Sequence, residues 1–376
     1  MGRSFTMMTI GTEHEFSIND ARFTPLPVSD RIIKAICGRV ESEILFGDVK
    51  IGKELQKHVL EFIPRRPAED LTSLEGSLVS GIRKFFHIFR DQYTLLGLGM
   101  HPTLTPGQTA VWDHDEGEYY AAYDRLFNIR QHGWLNIQAL QINLSYAGER
   151  EQVTTFNRLR TILPYLIAVT ASSPMVEGNL TGSMDNRLVW YRENQKEIPL
   201  ICNRIIPERI RSVGDYRAEQ EEIFCELRAR DADILCEEWV NSGGIIMRFS
   251  RRCLEIKALD EQESVHSDMA VCAFVRALLR CPTLPIPQEQ DALLEITEKA
   301  ILGGISGVKP ELAALYKEAW KHATEEEREY LPVISDRISR GSLAELMMQR
   351  FRQDGDIVPV LRDLAGCLKG NTSYSG

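Results

Sequence analysis

The sequence predicts an α+β fold: one large sheet with a carboxylate-lined face, helices packed on its other face, and a helical C-terminal part. Three observations predict it. Four stretches alternate polar and apolar residues at the two-residue period of a strand. Their polar faces collect Glu13, Glu15, Glu61, Glu255, Gln141, Asn143 and Lys257, whereas an ordinary wet sheet face mixes Thr, Ser, Lys and Glu. Beyond Val265 the remaining chain reads as helix. A face so rich in carboxylates suits hard cations, with the apolar face under helices.

In order, Ile10 to Ile18 places Gly11, Glu13, Glu15 and Ser17 on one face, and Ile10, Thr12, His14, Phe16 and Ile18 on the other. Neighbouring carboxylates repel, and each raises the other's pKa unless a cation lies between them. A solvated strand face gives the same alternation, so this stretch alone leaves both readings open. Ser29 is expected to cap a helix from Asp30 to about Val40, burying Ile32, Ile33 and Ile36. Residues 43–63 hold two or three short strands that carry Glu54 and Glu61. Thr72-x-x-Glu75 is a capping box for a helix reaching about Leu96, and Gly97 to Trp112 reads as strand and loop.

A helix over 118–130 precedes Leu140–Tyr146, where Gln141, Asn143 and Ser145 share a face. Another spans 149–171 and contains Pro164, which is expected to kink it. The loop Ser172–Gly182 runs into Asp185-Asn186-Arg187, followed by Arg192, Arg204, Arg209 and Arg211. That basic run is either a solvated face or a clamp for phosphate or carboxylate groups. Residues 215–240 read as helical. Gly243-Gly244 opens the strand Ile245–Ser250, and Arg251-Arg252 connects it to Cys253–Leu259, where Glu255 and Lys257 oppose Leu254, Ile256 and Ala258. Helices are expected at about 265–280, 288–302, 308–323, 339–353 and 356–368, as packing or an oligomer surface.

The net charge of -10 disfavours nucleic acid and anionic membrane surfaces as partners. Eight cysteines without a C-x-x-C pair fit free thiols in a reducing cytosol. Met1–Thr9 has no apolar core of a secretory leader, and the longest uncharged run, Thr161–Val176, is too short for a membrane span. A cytoplasmic protein is expected. No phosphate-binding loop of the G-x-x-x-x-G-K-[ST] or G-x-G-x-x-G kind occurs after a strand, so any ATP use needs another architecture.

Gly11-Thr12-Glu13-His14-Glu15-Phe16 resembles the G-x-E-x-E-F opening of the type 2 glutamate–cysteine ligases, also called carboxylate–amine ligases. The resemblance continues through Glu54 to Glu61, Leu140 to Tyr146, the Ser173-Pro174 to Gly182 loop and Cys253 to Asp260, spanning about residues 10–265. It implies a single catalytic domain over 1–376 with a helical portion from about 265, built on a mainly antiparallel sheet related to that of glutamine synthetase. By position it implies Glu13, Glu15, Glu54, Glu61, Gln141 and Glu255 as metal ligands, Gln141, Asn143 and Arg248 beside the nucleotide, and Arg187, Arg248 and Lys257 near phosphate or substrate carboxylate. Lys257 stands where arginine is usual. Gln141 stands where many bacterial members have a metal-binding histidine and plant-type members have glutamine.

The implied cofactors are ATP with Mg²⁺, or Mn²⁺. The implied partners are small amino acid substrates, glutamate and cysteine first, and a second copy of the chain in a homodimer. The reaction would make γ-glutamylcysteine for glutathione biosynthesis through an acyl phosphate. A guanidino-kinase-like phosphotransferase and a non-catalytic ATP-binding regulatory protein of the same fold stay open as rivals.

Overall fold

Alternation does produce the sheet. In the computed structural model, which describes residues 8–202 and 204–376, ten strands form in chain order: β1 (Ile10–Asn19), β2 (Glu43–Phe46), β3 (Val49–Lys53), β4 (Val59–Pro64), β5 (Thr94–Leu96), β6 (Ala139–Ser145), β7 (Met175–Val176), β8 (Asn179–Leu180), β9 (Ile245–Arg248) and β10 (Cys253–Asp260). Met1–Met7, most of the stretch expected to lack a leader, lies outside the described residues. Eight strands make one sheet in the order β2-β3-β4-β1-β6-β10-β9, with antiparallel pairing throughout. β5 pairs with the last residues of β1, on the edge whose first half holds β6. β7 and β8 form a separate hairpin.

The apolar face packs under helices as expected. Ile10, Phe16 and Ile18 of β1 are fully buried, and Phe16, Phe62 and Phe85 stack edge to face at 5.6 and 6.0 Å, joining β1, β4 and the helix Leu71–Phe89. Each such ring contributes about 1.5–3 kcal/mol by burial. Glu149–Thr170 and Val265–Arg280 cover the middle of the same face. Pro164 sits inside the first of these two helices. No helix among the described residues is long and apolar enough to cross a membrane. All eight cysteines are free; Cys202, Cys253, Cys272 and Cys281 are buried, while Cys37 and Cys225 are exposed.

Several expected boundaries are corrected. The first helix is Ser29–Cys37, with Val28 at its N-cap and Ser29 buried in its first turn. Asp70, not Thr72, caps the next helix, accepting from Ser73 N at 2.7 Å. Glu75 instead serves His266, Tyr330 and Asn371. That helix stops at Phe89, so β5 occupies part of the stretch expected to be helical. The helices over 118–130 and 215–240 shorten to Gly117–Phe127 and Val213–Arg228; two 3₁₀ turns follow the latter. Short helices His132–Leu135 and Asn186–Glu193 were not expected. The helix expected at 339–353 is Leu343–Asp354, and a further helix, Glu325–Arg340, was not expected; the two are separated at Gly341 (φ 120°), and each opens on its own capping box.

The catalytic-looking face has one irregularity. β10 shifts register against β6 between Ile256 and Leu259, an added residue that reverses the alternation. Glu255 pairs with Asn143 before the bulge, and Asp260 pairs with Ala139 after it. Ala139, Gln141 and Asn143 share a face, so the bulge turns Asp260 to the side of Glu255.

Candidate active site

Register brings the expected carboxylates together. Across the ladder, Glu15 faces Glu61, Glu13 faces Gln141, and Glu255 faces Asn143. Directly opposed side chains on one face lie about 4.5–5.5 Å apart at Cβ, so four adjacent strands, β4, β1, β6 and β10, give a contiguous row. Glu54 joins it from the turn after β3, and carboxylate oxygens of Glu15, Glu54 and Glu61 all lie within 4.8 Å of one another. Gly52 makes room: a Cβ there would stand 3.0 Å from Glu61 Oε2.

The row divides electrostatically. Burial, followed by the charge of Glu54, pushes Glu15 up to about 8. Burial raises Glu54 to about 7, helped by Glu13 and opposed by Lys53, and holds Glu61 well above the carboxylate range with Glu13, Glu54 and Glu15 adding to it. Glu13 is lowered instead: burial pushes it up, but Arg251, with Nη1 at 2.5 Å, together with hydrogen bonds from Glu61 and Asn143 and the charge of Arg248, more than offsets that. Glu255 is paired too, with Arg248 Nη1 at 2.6 Å from Oε2, while Lys257 Nζ stands 3.7 Å from Oε1. Arg248 finds Glu255 across the β9–β10 hairpin and has Glu238 at 3.8 Å.

Gln141 and Asn143 donate to this row. Gln141 Nε2 reaches Glu15 Oε1 at 3.0 Å, and Asn143 Nδ2 reaches Glu13 Oε1 at 3.0 Å. His14, on the opposite face of β1, is fully buried between Glu261 at 3.3 Å and Asp268 at 3.2 Å, which raise it to about 10 against the effect of burial.

Arg187 sits at the far end of the row. The loop Ser172–Gly182 explains why. Ser172 N and Ser173 Oγ donate to Asp260 Oδ2 at 2.9 and 2.7 Å, and Arg187 N donates to Ser173 Oγ at 3.2 Å. The guanidinium donates to the carbonyls of Gln138, Lys257 and Leu259 and lies 3.4 Å from Asp260 Oδ1. Gly99 admits Asp260 to this place, since a Cβ there would lie 2.1 Å from its Cγ. One guanidinium nitrogen, Nη1, is buried without a hydrogen-bond partner among the described residues, as are both amide atoms of Gln138, Asn194 Oδ1 and Gln195 Oε1. Buried polar groups left unpaired are costly, and here they line a cavity of about 570 Å³ that also takes in Glu15, Glu54, Gln141 and Lys257. The later basic run does not join it: Arg204, Arg209 and Arg211 are exposed, and Arg192 pairs with Glu298.

Gln138, Asp260 and Arg251 were missed from sequence. Asp260 was concealed by the bulge, and Arg251 read only as a hairpin turn. Gln138 gave no signal of this kind, since alternation would put a residue three before Gln141 on the opposite face, and it reaches the site because it precedes β6.

The donor set fits a hard divalent ion. Three oxygen-bearing side chains converge, all are raised by burial and repulsion, and Mg²⁺ or Mn²⁺ favours such ligands over nitrogen or sulfur.

A family model described as glutamate–cysteine ligase family 2 matches residues 9–363. An uncharacterized protein of Archaeoglobus fulgidus is 48% identical over 367 residues, which are 97% of this chain and 100% of that one. A glutamate–cysteine ligase of Halobacterium salinarum is 26% identical over 182 residues, 46% of each chain. Among solved structures, the glutamate–cysteine ligase of Francisella tularensis in complex with AMP superposes with a TM-score of 0.71 at 11% identity, over 98% of this chain and 89% of that one. A bifunctional glutathione synthetase from Pasteurella multocida gives 0.62 at 13% identity, over 96% and 51%. At such identities the structural likeness is one of fold. The chain belongs to glutamate–cysteine ligase family 2.

Proposed function

We propose that this chain is an ATP-dependent carboxylate–amine ligase whose carboxylate donor is glutamate. The observation that carries the reading is the polar end of the cavity. Raised carboxylates stand at one side and the unpartnered Nη1 of buried Arg187 at the other. A dicarboxylate fits between them, one end held by Arg187 and the other presented to the carboxylate row. Asn194 Oδ1, Gln195 Oε1 and Gln138 Oε1 can accept from its ammonium group.

Bringing an anionic carboxylate up to a polyphosphate is the physical obstacle. Glu15, Glu54 and Glu61, beside Glu13 and Glu255, would hold Mg²⁺ or Mn²⁺, and such an ion would supply the positive charge this approach needs. Gln141 and Asn143 fix the orientation of Glu15 and Glu13. Arg248, Arg251 and Lys257 add cationic charge along the same face. A donor oxygen attacks the γ-phosphorus, the bond to the β-phosphate oxygen breaks, and ADP leaves. The amine nitrogen then bonds to the acyl carbon, phosphate departs with the C–O electron pair, and the amine gives up one proton. Cysteine is the acceptor that the names of the relatives support.

Hydroxylamine tests this reading because it is small enough to intercept any acyl phosphate. The chain with ATP, Mg²⁺, glutamate and hydroxylamine should yield hydroxamate and ADP in equal amounts. ADP formed without hydroxamate from every carboxylate tried, but with a guanidino acceptor, would assign a phosphotransferase. Tight ATP binding with no ADP would assign a regulatory protein.

A further inference from the structure

The cavity has a second end, and it is aromatic. Tyr119, Tyr123, Trp134, Tyr191 and Trp239 line it. Four of the rings form one connected wall: Tyr123 lies 4.9 Å from Trp134 and 6.1 Å from Trp239, and Tyr119 lies 5.7 Å from Trp239. These rings come from the helix Gly117–Phe127, the turn His132–Leu135, the helix Asn186–Glu193 and the 3₁₀ turn Glu238–Val240. Trp134 is held by its indole N–H, which donates to the Asn194 carbonyl at 3.1 Å. One side of these rings packs on a small core that includes Phe127, Ile201 and Leu235, and the other side borders the cavity.

Charge narrows what that space accepts. Among the residues lining the cavity the cations are Arg187 and Lys257. Arg187 serves the donor, and Lys257 Nζ is turned to Glu255 and to the Trp239 carbonyl at 3.5 Å. Lys53, just outside the lining, lies over the Tyr120 ring at 4.7 Å but is paired with Glu116, so an acceptor bearing its own carboxylate would find no uncommitted cation beside the aromatic wall. Glu237, exposed at the cavity, favours an approaching ammonium group instead, while Glu116 is already paired with Lys53.

We infer that the acceptor is an amine with an aromatic or bulky apolar body and no carboxylate of its own, seated against the Trp134–Tyr123–Trp239 wall. This rests on the ligase reading and replaces cysteine within it. The bond made is an amide from the acyl phosphate, so atoms balance as before: the amine loses a proton and phosphate leaves. Aromatic faces suit such a body through stacking and, for an ammonium in transit, through attraction to the ring faces.

The test uses the full chain with Mg²⁺ and ATP. Hydroxamate formation from glutamate first establishes that the donor is activated. Amide formation is then compared for 2-phenylethylamine, tyramine, cysteine and alanine. The aryl amines should exceed cysteine in kcat/KM by at least about tenfold. Trp239→Leu should raise KM for 2-phenylethylamine while leaving hydroxamate formation and KM for ATP near normal, and Trp239→Phe should restore most of the loss. No hydroxamate at all would remove the ligase reading itself. Hydroxamate with cysteine preferred over the aryl amines overturns only the inference. A rise in KM for ATP in the tryptophan variants overturns it too, assigning the wall to the nucleobase.

Discussion

Glu13 and Glu61 lie on one sheet face yet are shifted in opposite directions, because only Glu13 has an arginine against it. Neutralising each residue should therefore act differently. Glu61→Gln relieves repulsion and should stabilise the metal-free protein by about 1 kcal/mol or more while lowering turnover on the order of a hundredfold. Glu255→Gln strips the charge that balances Arg248, and should cost about 1–3 kcal/mol as well as turnover. Urea denaturation without metal separates the two; equal shifts of the same sign would contradict the division of the row.

The same residues set a pH dependence. Glu15 and Glu54 are raised to about 8 and 7, so their contribution to stability is full below the ordinary glutamate value and is lost as pH rises through those values. His14, raised to about 10, acts in the same direction above its ordinary value. His101, lowered to about 4 by burial, has the opposite sign but acts only below about 6.5. Between pH 6.5 and 8 the metal-free protein should lose stability. Binding of Mg²⁺ requires deprotonated carboxylates, so its thermal stabilisation should be greater at pH 8 than at pH 6.5. A Mg²⁺-induced Tm shift that does not change with pH would sink this. Gln141 adds a third residue-scale expectation. Its amide donates to Glu15, and replacing it with imidazole offers a nitrogen lone pair in its place. Gln141→His should shift activation from Mg²⁺ toward Mn²⁺ or Co²⁺; superimposable activation curves would leave Gln141 as a hydrogen-bonding residue only.

At the scale of elements, the bulge in β10 decides the site. It turns Asp260 to the face of Glu255, where Asp260 holds Arg187. Gly99 is the complementary concession. Gly99→Ala would drive a methyl group into the Asp260 carboxylate, so it should lower stability and raise KM for glutamate more than KM for ATP. Equal KM values would detach Arg187 from donor binding. This element also marks how far the sequence could be read. The strands carrying Glu13, Glu15, Gln141, Asn143 and Glu255 were legible because strict alternation fixes which face each occupies. Asp260 was not, since one inserted residue inverts that rule without leaving a glycine or proline as a sign. The helix Glu325–Arg340 was overlooked although Thr324 and Glu327 form a capping box, because Pro332 within it reads as a breaker. Aromatic walls such as Tyr123 and Trp239 come from distant segments, and local pattern carries no trace of their meeting.

At the scale of the molecule, the helical C-terminal part is tied to the sheet just beyond β10. Arg337 of the helix Glu325–Arg340 donates to both oxygens of buried Glu263 at 2.6 and 2.7 Å, and Tyr374 N donates to Glu263 Oε1 at 2.9 Å. Removing one partner strands a buried charge, so Arg337→Ala should cost about 3–5 kcal/mol. The central claim is that the carboxylate row and Arg187 hold a donor whose own oxygen attacks phosphorus. Glutamate labelled with oxygen-18 in its side-chain carboxylate tests it most directly, with phosphate recovered after turnover in the presence of an amine. The account predicts that each phosphate released carries one labelled oxygen from glutamate; phosphate free of label would contradict it.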